Sequence, residues 1–150
     1  MSITVIKAAL KDVDQLALLF DAYRVWYRKE ADLGSATAFI TDRITHADSV
    51  IYALDLDGEL LGFTQLYPLF SSTRMKKMWL LNDLYIHEEH RGRGYSKLLI
   101  DKAKDLCKQT GACGVLLETE KSNEIGNKLY PSTGFILEDN NFYFWTNQGS

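Results

Sequence analysis

Cysteine, proline and long apolar runs are all scarce in this chain: two cysteines and two prolines in 150 residues. The two thiols, Cys107 and Cys113, stand six apart with no histidine at metal-ligand spacing. That argues against a disulfide scaffold or a zinc site and predicts reduced structural thiols, a cytoplasmic protein and no metal. No apolar run approaches the ~20 residues that cross a bilayer, so no membrane association is expected. The opening MSITVIKAALKD lacks the charged and apolar regions of a secretory signal. Positive charge is also in deficit, 17 Lys and Arg against 20 Asp and Glu, net -3. No nucleic-acid partner is therefore expected, and any affinity for phosphate has to be local. Repeats, low-complexity tracts and linkers are absent. What remains is an ordinary globular composition that predicts one domain over residues 1–150.

The pattern of apolar residues supplies the elements. TVIKAAL (4–10) predicts a first strand. Residues 12–27 place Leu16, Phe20, Tyr23 and Tyr27 at helical spacing, with Asp12 and Gln15 as a capping pair. Residues 35–47 predict a second helix with Ser35 as N-cap. SVIYALDL and ELLGFTQLYPLF flank Asp57-Gly58 as a hairpin, and MWLLNDLYIH (78–87) follows as a long strand. A helix over 94–110, the strand GVLLET, the short helix SNEIGNKLYPST and a closing hairpin of FILED and NNFYFWTN complete the chain. The order predicts a mixed sheet with helices on both faces.

The densest positive charge is HRGRGYSKLL (90–99), between a strand and a helix. Strand, glycine turn, helix aims free backbone N–H groups and a positive helix end at an anion. The spacing excludes a Walker A loop, and Lys97 stands where a dinucleotide fingerprint needs glycine. Arg91-Gly92-Arg93-Gly94-Tyr95-Ser96 meets the pyrophosphate turn of coenzyme A acyltransferases, [QR]-x-x-G-x-[GA], except at its last position. Downstream, SNEIGNKLYPSTGF (122–135) sets Asn123, Gly126 and Tyr130 at i, i+3 and i+7.

Together the two segments resemble the GNAT (Gcn5-related N-acetyltransferase) superfamily, whose later motif reads N-x-x-A-x-x-x-Y-x-x-x-G-F. Asn123, Tyr130, Gly134 and Phe135 match, and Gly126 replaces the usual alanine. WLLNDLYIHEEHRGRGYSKLL is most similar to the histone/polyamine N-acetyltransferase branch and, more distantly, to diamine acetyltransferases. The resemblance implies an α/β (α+β) fold: a mostly antiparallel sheet of six to seven strands, flanked by about four helices and splayed at the coenzyme site. It implies acetyl-CoA as donor and an amine as acceptor.

By that resemblance the backbone of Arg91, Gly92, Arg93, Gly94, Tyr95 and Ser96 holds the pyrophosphate. The Ser96 hydroxyl either adds a donor or crowds the turn. The pantetheine arm lies along Leu84, Tyr85 and Ile86, with Asn123 and Gly126 beside it. Tyr130 is the general acid, and a backbone N–H near Leu84 meets the developing oxyanion. The general base stays open among Asp83, Glu118 and Glu120, because Asn82 stands where diamine acetyltransferases carry glutamate. Alternation sends Asn82 and Asp83 to opposite faces unless a bulge intervenes. An acceptor pocket is expected from Tyr23, Tyr27, Tyr67 and Trp79 with the acids Glu30, Asp32, Asp83 and Glu118. Aromatic and acidic groups together suit a cationic amine, small and polyamine-like. His87 and His90 read as surface residues. A protein lysine or N-terminal amine, or a coenzyme A-binding regulatory module without turnover, are the competing readings. The aromatic NNFYFWTN predicts a homodimer.

Overall fold

The computed structural model describes residues 2–149. The chain divides into a first unit that reaches to Glu118 and a second that starts at Thr119.

In the first unit, β1 (Ile3–Lys7), β2 (Val50–Leu56), β3 (Glu59–Ser71), β4 (Lys76–Ile86) and β5 (Val115–Leu116) form one sheet in sequence order. All neighbours are antiparallel except β4 and β5. The Asp57-Gly58 turn has φ of 50° and 94°, the doubly left-handed geometry that matches strand twist. Gln15 does not join Asp12 in a helix cap. Its amide donates to Gly58 O and accepts from Leu60 N, both at 2.9 Å, so it buckles the hairpin to the first helix. Asp12 instead accepts from Ala9 N at 2.9 Å, because a 3-10 turn over Leu10–Asp12 points its carboxylate backwards.

Helices α1 (Val13–Trp26) and α2 (Leu33–His46) cover one sheet face. Leu16, Phe20 and Ile40 pack there on Ile51, Ala53 and Phe63. Asp32, not Ser35, caps α2, and its carboxylate accepts from Ser35 N at 3.1 Å. The other face receives α3 (Tyr95–Gln109) through Leu99, Ile100 and Ala103, all fully buried. Trp79 belongs to that side, where its indole N–H donates to Thr110 Oγ1 at 2.9 Å. It is thus packing rather than a wall of an acceptor pocket.

The second unit holds α4 (Glu124–Ser132), stopped at Gly134 with φ of 98°. The expected closing hairpin is not formed: among the described residues, 136–149 carry no strand. The sheet therefore has five strands instead of six or seven. Phe142, Tyr143, Phe144 and Trp145 are all exposed. Four consecutive aromatics define no single apolar face, and a two-stranded hairpin alone is marginal in water. No helix among the described residues is long and apolar enough to cross a membrane.

Candidate active site

The site begins with one surplus residue. Leu66 pairs with Leu81 and Gln65 with Asp83, which leaves Asn82 as a bulge in β4. Before it, Trp79 N donates to Gly114 O at 3.1 Å and Lys77 O accepts from Cys113 N at 2.8 Å, so odd positions face β5. After it, His87 N donates to Leu61 O at 2.9 Å, so odd positions face β3. Alternation then turns the N–H and C=O of Leu84 and Ile86 toward the β5 side. There β5 has already ended, its last pair being Leu80 with Leu116. The expected splay of DLYI from LLET is this open edge.

The bulge also settles which faces Asn82 and Asp83 take. Their side chains meet, Asn82 Nδ2 donating to Asp83 Oδ1 at 3.1 Å. Asp83 is 4% exposed and accepts from Gln65 Nε2 at 2.8 Å, and the Tyr23 hydroxyl, which donates to Asn82 O at 3.4 Å, lies close enough to act on its charge. Burial raises its pKa above the ordinary carboxylate value, and the hydrogen bonds from Gln65, Tyr23 and Asn82 oppose that rise. Of the three expected bases, Asp83 alone is buried; Glu118 and Glu120 are exposed.

Tyr23 stands among aromatic rings, 5.0 Å from Tyr27 and 6.0 Å from Tyr85. Tyr67 lines a shallow groove of about 470 Å³ with Phe39, Arg43, Asp48 and Pro68. Burial first, then the Asp83 charge, pushes its phenol up to about 12. Asp32 is held by its helix cap, and the Ser35 hydrogen bonds lower its pKa. The backbone of Glu30 accepts from Arg24, which also pairs with Asp21 at 3.3 Å.

Beyond β4, Gly92 and Gly94 both take φ of 78°, a conformation costly for any residue with a side chain. A Cβ built on either meets nothing within 4 Å, so the space before the turn is open. Gly94 is the N-cap of α3 without a side-chain cap, and the first turn holds no acid. Lys97 N bonds Gly94 O at 3.2 Å, leaving the amides of Tyr95 and Ser96 uncapped. The cradle fits a phosphate ester. Ser96 is half-buried at the head of the helix.

The Arg91 side chain is elsewhere. Its Nε donates to Ile86 O at 2.8 Å, and its guanidinium lies over Trp26 at 4.7 Å and Tyr85 at 5.2 Å. Only its backbone belongs to the turn, because two aromatic faces and a carbonyl draw the side chain to them. Arg93 stays at the turn, its Nη1 3.5 Å from His90 Nδ1. His87, Glu89 and His90 bring ligand-capable atoms within 4.8 Å of one another. His87 Nδ1 already accepts from Glu89 N, and the Arg93 cation sits beside His90.

In the second unit Asn123 is the N-cap of α4. Its Oδ1 accepts from Gly126 N at 3.0 Å and its Nδ2 donates to Thr119 Oγ1 at 2.9 Å. A Cβ at Gly126 would lie 2.5 Å from that Nδ2, so this cap geometry requires glycine where the motif has alanine. Tyr130 is half-buried, its ring 5.9 Å from Phe135.

Sequence reasoning missed Gln65, Ser49 and the Arg91–Trp26 stack. The signal for Gln65 was a polar residue inside an apolar strand run.

The profile of the acetyltransferase (GNAT) family matches residues 15–135. An uncharacterized N-acetyltransferase, YhfO of Bacillus subtilis (strain 168), is 40% identical over 136 residues, 91% of each chain. A probable acetyltransferase of Haemophilus influenzae is 29% identical over 132 residues, 87% of this chain and 88% of that one. The crystal structure of a probable acetyltransferase superposes with a TM-score of 0.88 at 38% identity, covering 98% of both chains.

Proposed function

The chain belongs to the acetyltransferase (GNAT) family and is an N-acetyltransferase, and we propose that it moves the acetyl group of acetyl-CoA to a primary amine, first among them a small polyamine-like acceptor. The donor supplies a thioester carbonyl that a neutral amine attacks, forming the C–N bond as the C–S bond breaks and the thiolate leaves.

In this reading the amides from Arg91 to Ser96 hold the diphosphate, with Gly92 and Gly94 allowing close approach. The pantetheine amides pair along the open edge with Leu84 C=O and Ile86 N–H, the Ile86 carbonyl being held by Arg91, Tyr85 between them stays on the α1 side, and Leu84 N–H meets the developing oxyanion. Asn123 and Gly126 contribute the start of α4. An amine with a pKa near 10.4 needs about 4 kcal/mol to shed its proton at neutral pH. Asp83 takes that proton, directly or through water; Tyr130 gives its own to the departing thiolate and regains one from the nitrogen that has formed the amide. Tyr23, Tyr27, Tyr67 and Asn82 shape the acceptor side, with Asp32 and Glu118 at its exposed margin.

The observation that carries this reading is the Asn82 bulge. It puts an unpaired strand edge and a buried carboxylate on consecutive residues, Leu84 and Asp83. The test is thiol release from acetyl-CoA with spermidine, with a lysine peptide and with no acceptor. Release with spermidine alone supports the polyamine reading, and release with the peptide alone moves the acceptor to protein amines. Tight donor binding without release makes the chain a regulatory module. Tyr130→Phe is expected to lower turnover far more than donor affinity; unchanged turnover removes Tyr130 from the mechanism. We also propose a cytoplasmic homodimer, supported by the exposed aromatics of 142–145. A monomer mass by light scattering at micromolar concentration overturns it.

A further inference from the structure

The carboxylate of Asp83 is the end of a buried file of hydrogen bonds that begins on β2's approach. Ser49 Oγ donates to Gln65 Oε1 at 2.9 Å, and Gln65 Nε2 donates to Asp83 Oδ2 at 2.8 Å. Gln65 is fully buried, Asp83 is 4% exposed and Ser49 is half-buried. The file crosses the sheet at the bulge, where Gln65 is the β3 residue opposite Asp83.

We propose that Gln65, braced by Ser49, is a positioning residue that keeps Asp83 ionised and leaves its second oxygen, on the side of the exposed Asn82, to face the acceptor amine. This rests on the reading of Asp83 as proton acceptor. A primary amide has two ends, and only one suits a carboxylate. The reverse flip would set Gln65 Oε1 against Asp83 Oδ2 at 2.8 Å, oxygen against oxygen. The carboxylate selects the other flip, and the Ser49 hydroxyl, donating to Oε1, braces it. Gln65 thereby occupies Oδ2 and leaves Oδ1, which touches the exposed Asn82, as the oxygen that takes the proton.

A buried carboxylate without a cation loses its charge unless neutral donors compensate. The donors on Asp83 are Gln65 from β3, Tyr23 from α1 and the neighbouring Asn82. Its other ionisable neighbour is Tyr67 on β3, beyond which Arg43 of α2 and Asp48 pair at 2.8 Å. Among the three donors Gln65 counters the effect of burial most strongly. Its removal raises the Asp83 pKa further. A base must be ionised to work, so the acid limb of kcat/KM moves to higher pH.

The experiment compares wild type, Gln65→Met, Ser49→Ala and Asp83→Asn. The Asp83 carboxyl carbon is titrated by NMR, and kcat/KM is followed against pH with spermidine or the fastest amine of the panel. In Gln65→Met the NMR midpoint and the acid limb are expected to rise together by about one pH unit, roughly a tenfold loss on the limb. The acetyl-CoA Kd stays within about twofold, as a hydrogen-bond rather than a packing role requires. Ser49→Ala moves both in the same direction by less, and its half-buried position keeps the test open if Gln65→Met does not fold. Midpoint and limb unmoved in both variants overturn the inference while leaving Asp83 as base. Asp83→Asn with the full rate and limb overturns the base assignment and the inference with it.

Discussion

The two halves of β4 share a strand and little else. From Lys76 to Leu81 the strand is paired on both sides toward its end, and Trp79 and Leu81 are buried in packing. From Asn82 to Ile86 it keeps only β3 as a strand partner, leaves the Leu84 backbone open along the other edge, where Arg91 takes Ile86 O, and buries an acid. One added residue separates them. The first half is what a sheet does to be stable, and the second gives up a ladder and an apolar side chain at the proposed site of chemistry. Two residues restrain the second half from peeling away altogether. Gly62, opposite Ile86, lets β3 approach so closely that a Cβ there would stand 2.6 Å from Tyr85 O. Thr64 Oγ1 donates to Asp83 O at 2.8 Å and holds the backbone beside the bulge.

If the halves divide labour in this way, substitutions should divide too. Asp83→Asn is expected to lower kcat/KM by about 10²–10⁴-fold, with acetyl-CoA affinity measured by calorimetry unchanged. Gly62→Ala should cost about 1–3 kcal/mol of stability in denaturant titration, through overpacking against Tyr85 O and Ile86. Gly92→Val should raise the acetyl-CoA Kd about tenfold by calorimetry, since a β-branched residue resists φ of 78°. Trp79→Phe is the control in the structural half. Losing the bond to Thr110 should cost about 1 kcal/mol in denaturant titration and leave kcat/KM unchanged.

The smallest effect sharpens the comparison through pH. Burial holds the Asp83 pKa above its unfolded value of 3.8, so the folded chain binds its proton more tightly than the unfolded chain does. The stabilisation from that proton is complete below 3.8 and is lost as pH rises through the folded pKa. Asn at 83 has no such loss. The Tm difference, Asp83→Asn minus wild type, should therefore grow more positive as pH rises through that window. A difference independent of pH would mean that Asp83 is not strained by its charge.

Much of the frame was legible because each element announces its own period. The Asp-Gly hairpin, the α1 stripe through Leu16 and Phe20, and the glycine turn before α3 are local signals, and all stand where the residues placed them. The bulge was not legible, because it is a property of register between β3 and β4 and neither strand carries it alone. Gln65 and Ser49 lie sixteen residues apart and meet only once β2 and β3 have paired. Arg91 was read as a cation for the anion turn because charge is visible in sequence and aromatic stacking from α1 is not. The closing hairpin was read from aromatic content, which signals burial without naming a partner. Asp83 was legible as a candidate; that it alone of the three acids is buried required the fold.

The withdrawal of Arg91 has a consequence for ionic strength. A guanidinium clasped between two rings adds no mobile countercharge at the mouth of the glycine turn. Attraction there comes mainly from fixed amide dipoles a few ångströms long, which dissolved ions screen poorly, with Arg93 and Lys97 as the screenable remainder. Acetyl-CoA affinity at the proposed turn is therefore expected to fall less steeply with salt than binding to a lysine-rich patch would.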